Sequence, residues 1–148
     1  MRSALAAVGT ALVLAAGCGG DDGDADEFRA EANAVCADYE ARIAAIPPPL
    51  EDVDEWAAVA GDIGDMLEAG VNELDRLEPP GDLGERYDEW IALKRESLAA
   101  TRELQDAGSA DDQARVDEAL ARIGETEGRA DEIAADLGLD DCATSSGR

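Results

Sequence analysis

The stretch VDEWAAVAGDIGDMLEAGVNELDRL, residues 53–77, decides how this chain folds. Apolar or small residues stand at Val53, Trp56, Ala60, Ile63, Leu67, Gly70, Leu74 and Leu77, in alternating steps of three and four without a miss. Such steps bring every one of them to the same side of an α-helix and form the seam along which helices pack. No alternation with the period of two that a half-buried strand requires is sustained anywhere in the chain. The stretch ends at Glu78-Pro79-Pro80-Gly81, where proline cannot continue a helix.

Three neighbours share the pattern. From Asp26 to Ile46, Phe28, Ala32, Val35, Tyr39, Ile43 and Ile46 share a face, and Pro47-Pro48-Pro49 breaks it. From Leu83 to Ala107 the inner face is Tyr87, Trp90 with Ile91, Lys94, Leu98, Thr101 and Leu104, and the break is Gly108-Ser109. From Ala110 to Leu137 it is Val116, Ala119, Ile123, Thr126, Ala130, Ile133 and Leu137, stopped by Gly138. A side-chain oxygen three residues before a carboxylate can cap a helix N-terminus. Asp24 with Glu27, Asp52 with Glu55, Asp82 with Glu85 and Ser109 with Asp112 stand at the four expected starts. Short breaks stack consecutive helices antiparallel. The expectation is an all-α protein, an antiparallel up-down four-helix bundle over residues 26–142, with a disordered tail over 143–148.

The N-terminus has a different character. Arg2 is followed by an apolar run from Ala4 to Gly17 that only Thr10 interrupts, then by Cys18 and Gly-Gly-Asp-Asp-Gly-Asp. The run has the length of an export signal and falls short of the ~20 residues of a transmembrane helix. Ala15, Ala16 and Gly17 before Cys18 resemble the lipobox of bacterial lipoprotein precursors, with Leu14 four residues ahead of the cysteine rather than the usual three. The resemblance implies that residues 1–17 are a cleaved signal peptide and that the Cys18 thiol receives a diacylglyceryl group. The acyl chains would anchor the protein outside the cytoplasm, each buried CH₂ contributing ~0.8 kcal/mol. Residues 18–25 then read as a lipidated cysteine and a flexible acidic tether, at most about 25–30 Å long.

With Cys18 consumed, Cys36 and Cys142 remain, an even pair in an oxidising compartment, which predicts a disulfide. Cys36 lies about 15 Å along the first helix from Asp26. Cys142 follows Leu137 by five residues, which stretch ~16 Å, so a tail climbing back from the same pole can reach it.

Charge and composition exclude several functions. The chain carries 36 acidic residues and a net charge of −24, which repels nucleic acid and anionic lipid headgroups. It has no histidine, the commonest general base and metal ligand. Asp22, Asp24 and Asp26 mimic the start of an EF-hand loop, but Glu27 occupies its glycine position and Asn33 its bidentate glutamate. Neither a metal nor a cofactor is expected. Lys94, the single lysine, reads as a bundle-edge residue with its ammonium in water. Gly61, Gly64, Gly124 and Gly128 interrupt the expected helices and allow close approach, mark a groove, or merely loosen them.

Lipobox, early helical cysteine (Ala32-Asn33-Ala34-Val35-Cys36), Leu77-Glu78-Pro79-Pro80 turn and terminal Leu-Gly-Leu-x-x-Cys together resemble small helical lipoproteins from GC-rich bacteria. The expected role is non-enzymatic: a module moored to the bilayer through acylated Cys18 that binds a protein or envelope component. The alternative is a carrier of a small apolar ligand in the bundle core or at an open end lined by Tyr87 and Trp90.

Overall fold

A computed structural model of the protein describes the backbone of residues 20–47 and 53–143 and the side chains of residues 23–47 and 61–143. Cys18, the signal segment, the side chain of Trp56 and residues 144–148 lie outside what is described. Four α-helices follow in order: α1 (Gly20–Ala44), α2 (Val53–Leu74), α3 (Gly84–Ser109) and α4 (Gln113–Leu137), then a 3₁₀ turn at Asp140–Cys142. They form the expected all-helical bundle. No described helix is long and apolar enough to cross a membrane.

Antiparallel pairing is visible in the side chains that cross it. Arg95 reaches Asp75 at 2.5 Å and Arg102 reaches Glu68, so α3 runs against α2. Arg86 reaches Asp136 at 2.9 Å and Arg122 reaches Glu103, so α4 runs against α3. These pairs are largely exposed and each is worth at most about 1 kcal/mol. They place scarce positive charge between helices that otherwise repel.

The helix boundaries differ from expectation in instructive ways. α1 opens at Gly20, so residues 20–25 are helical and do not form an extended tether. Ala25 is buried, one turn before Phe28 and Ala32, and prolongs the apolar stripe. Asp24 and Glu27 therefore sit inside the helix and do not cap it. At α3 the residue before the helix is Leu83, with no side-chain cap, so Asp82 does not serve. At α4 the cap is Asp112, whose carboxylate accepts from the Arg115 amide at 3.2 Å, while Ser109 donates back to Gln105 O at 2.9 Å.

The α3–α4 corner turns at Asp111, in the left-handed region at φ 53°. Asp112 N donates to Ala107 O at 3.0 Å and Asp111 N to Gly108 O at 3.2 Å, the paired bonds of a Schellman ending. Asp tolerates this conformation better than most residues. Gly138 ends α4 in the same way at φ 77°, with Leu139 N on Ala134 O at 2.8 Å. Leu139 and Ala134 are both fully buried, the apolar contact that accompanies the motif.

α3 and α4 are the most intimate pair. Tyr87, Trp90 and Ile91 of α3 are buried as expected, but beyond them the buried residues are Leu93, Ser97, Ala100 and Ala107, not the expected Lys94, Leu98, Thr101 and Leu104. Small side chains on α3 and on α4 (Ala119, Ala130, Ala134) allow close approach, and the bulkier neighbours turn aside. The interrupting glycines do not serve this purpose. A Cβ at Gly61, Gly124 or Gly128 would meet nothing within 4 Å, and one at Gly64 only Gln105 Nε2 at 3.7 Å.

The core gathers at one pole. Phe28 and Ala32 of α1, Leu74 of α2, Tyr87 and Trp90 of α3, and Ile133 and Leu137 of α4 pack together there, under Leu139 and Cys142. The start of α1 and the end of α4 thus share a pole, as up-down order requires. The Cys36–Cys142 disulfide closes it, with the Cα atoms 5.1 Å apart. Ala143, expected in the tail, packs partly buried against this core.

Two α1 side chains reinforce the bond. Arg29 Nε donates to Leu137 O at 2.8 Å. Asn33 Nδ2 donates to Gly138 O at 3.1 Å, and its Oδ1 accepts from Asp141 N at 3.0 Å. Arg29, Asn33 and Cys36 step by four and three, so one stripe of α1 holds the whole C-terminal hook. Asn33→Ala removes both amide bonds and is expected to lower unfolding stability by about 1–2 kcal/mol. Replacing both bonded cysteines by serine should cost about 2–5 kcal/mol. Urea unfolding of each variant measures both effects.

Candidate functional site

Burial fades along α1. Ala32 is fully buried, whereas Val35, Tyr39 and Ile43, next on the same face, are only partly covered. On α2, Leu67 occupies a seam position yet is 38% exposed. The cause is register. Tyr39, near the end of α1, packs on Gly70, near the end of α2, and its hydroxyl donates to Glu73 at 3.1 Å. Flush antiparallel helices would bring the end of α1 to the start of α2. Here α1 is displaced along the bundle, and a gap opens beside its second half, around the Tyr39 contact.

The gap is a groove of about 620 Å³ between α1 and the other three helices, bounded at one side by the C-terminal hook. Small-molecule sites span ~300–1,000 Å³ and are mostly apolar with a few placed polar groups. The walls match. Val35 and Ile43 come from α1, Leu67 and Val71 from α2, Leu98 from α3 and Ile123 from α4. The Tyr39 ring is held between Gly70, where a Cβ would come within 3.1–3.3 Å of three ring atoms, and the Arg42 guanidinium, 4.8 Å from the ring centroid.

Two polar features mark the groove. Lys94 Nζ lies 2.7 Å from Glu127 Oε2, with side-chain exposures of 12% and 25%. The lysine is therefore drawn into the groove wall and paired, rather than free in water at a bundle edge. Its ammonium lies 5.9 Å from the Trp90 ring centroid. Trp90 is fully buried and lines the groove, and its indole Nε1 finds no hydrogen-bond acceptor among the described residues. An unpaired buried donor costs about 1–3 kcal/mol.

The other residue expected to face a ligand does not. Tyr87 is 2% exposed, meets Phe28 edge-on at 4.9 Å between ring centroids, and lines no part of the groove. Its hydroxyl donates to Leu74 O at 2.8 Å, so the pole it was expected to leave open is sealed. Trp90 lines this groove and not the open bundle end that the sequence suggested for it, and Leu67, Tyr39 and the Lys94–Glu127 pair were not anticipated there. The signal for Leu67 and Tyr39 is absent from periodicity, because both keep perfect seam spacing. Among the described residues no group of three potential metal ligands converges. Compared with protein families, curated proteins and solved structures, the chain matches none of them.

Burial raises the Tyr87 phenol above its ordinary value, and the negative charges of Asp75 and Glu31 push it further. The folded state therefore holds this proton more tightly than the unfolded chain. Its contribution to stability is complete below the ordinary tyrosine pKa of about 10 and is lost as pH rises beyond it. Tyr87→Phe is expected to cost about 1 kcal/mol at pH 7 and to make the alkaline decline shallower. Chemical denaturation from pH 7 to pH 11 reads both.

Proposed function

We propose that this protein is a lipid-anchored, extracytoplasmic, non-enzymatic binding module whose groove holds a small apolar molecule. The observation that carries the reading is the groove itself: about 620 Å³ of mostly apolar wall that includes an exposed seam leucine, Leu67. It favours small-ligand binding over recognition of a protein or envelope component, the other role the sequence suggests. Filling and emptying such a groove requires no catalytic group. The lipobox-like residues before Cys18 support the anchor, and the disulfide between Cys36 and Cys142 agrees with an oxidising compartment.

N-phenyl-1-naphthylamine, an uncharged dye that brightens in apolar surroundings, tests the groove. One saturable site per chain is expected, and Val71→Trp, which projects bulk into the groove, should weaken it by at least about tenfold. A dye signal that is absent, or unchanged by the substitution, refutes the reading. For the anchor, protein expressed with its own N-terminus in a bacterial host is expected to partition into detergent, and the Cys18→Ala variant into water. Equal partitioning of the two would show that Cys18 carries no lipid.

A further inference from the structure

We propose that the groove selects uncharged lipid-like molecules carrying one carbonyl-type acceptor, a ketone, ester or quinone oxygen, and that the Trp90 indole N–H is the group that recognises it. The inference deepens the binding reading above and rests on it.

Trp90 is the only residue of the groove with a buried polar atom lacking a partner among the described residues. Indole nitrogen is a donor only, so nothing but an acceptor can satisfy it. The ring packs within the hydrophobic core at the closed pole, with Tyr87 5.5 Å away between ring centroids, so the indole is fixed in place. A pure hydrocarbon would fill the apolar walls and leave the N–H unpaired. A ligand with one acceptor oxygen removes that penalty on binding.

Charge decides which acceptor. The charged residues around the groove are Glu40, Glu127 and Asp141 against Lys94 alone, and Lys94 is already paired to Glu127 at 2.7 Å. The whole chain carries −24. A carboxylate or phosphate approaching Trp90 would meet this field in surroundings that screen it poorly. A neutral carbonyl oxygen meets no such barrier. A cationic ligand would suit the rim, yet its charged group offers no acceptor to the indole.

The test uses the full-length chain and three probes of equal length: octane, 2-octanone and octanoate, each displacing N-phenyl-1-naphthylamine. The expected order is 2-octanone tightest, with octane weaker by roughly three- to tenfold, the worth of one hydrogen bond. Octanoate should bind less well than 2-octanone, and raising the salt should narrow that gap. In Trp90→Phe the advantage of the ketone over the alkane should vanish. Because a core substitution at this position can perturb folding, the unaltered protein supplies an independent readout. The Trp90 indole N–H proton resonance should move downfield with 2-octanone and not with octane. Equal binding of ketone and alkane, or an indole resonance indifferent to the ketone, overturns the assignment and leaves the groove as a site for plain hydrocarbon. Tightest binding by octanoate overturns the charge argument. Failure of all three probes and of the dye overturns the binding reading itself.

Discussion

The C-terminal hook holds the molecule to its shape. A single stripe of α1 (Arg29, Asn33 and Cys36) takes the last carbonyls of α4, an amide of the 3₁₀ turn and the terminal cysteine. Without it, α1 would be linked to the bundle by the α1–α2 connection, by Phe28 and Ala32 in the hydrophobic core and by the Tyr39 seat on Gly70. Bonding residues 106 apart removes ~4–5 kcal/mol of chain entropy from the unfolded state in the simplest model. That matters in a chain whose charge works against compaction. The closure also depends on Gly138. Its φ of 77° turns the chain toward α1, and an added Cβ would stand 3.1 Å from Arg29 Cδ. The left-handed turn, the arginine and the disulfide are therefore parts of one arrangement.

Fixing α1 at this end has a consequence at the other. The hook and the core pole determine where the N-terminal half of α1 lies. The Tyr39 ring, seated on Gly70 and covered by Arg42, determines where its second half meets α2. Between these two points α1 is displaced relative to α2, and the seam residues facing it lose their partners. The same geometry that seals Phe28, Tyr87 and Leu137 into the core leaves Leu67 and Ile43 beside open space. α3 and α4 do not share in this, because alanines and a serine let them close on each other.

Much of the fold was legible in the order of residues. Steps of three and four identified the four helices and most of the buried face of α4, and prolines or a glycine marked each break. The disulfide followed from counting cysteines and measuring reach along a helix. What escaped was whatever depends on distance between helices. Small residues carry little hydrophobic signal, so the Ser97–Ala100–Ala107 face of α3 was passed over for Leu98 and Leu104. Repeats of three and four give the facing side of a helix but not its displacement along the bundle axis, so Leu67 was expected in the core. Lys94 was read by its charge, although its stem lies on the groove side and Glu127 stands within 2.7 Å. Caps were obscured by abundance: where acidic residues stand every few positions, a pair at the right spacing carries little information, and among the described residues only Asp112 serves, Asp52 lying outside them.

An open apolar groove in a small bundle is a cost that requires an account. Each Å² of apolar surface left in water forgoes about 25 cal/mol, and sliding α1 along its axis to cover Leu67 would recover part of it. Three local features oppose that movement: the disulfide and its flanking hydrogen bonds, the Tyr39–Gly70 seat, and the Lys94–Glu127 pair in the wall. The last is costly by itself, since two charges are drawn partly out of water where apolar residues would pack more cheaply. The unpaired indole of Trp90 adds to the same side of the balance. Features that each reduce stability, gathered on one cavity and held there by the disulfide, are costs that the proposed binding role would offset when a ligand arrives. A flush, closed bundle would avoid these costs.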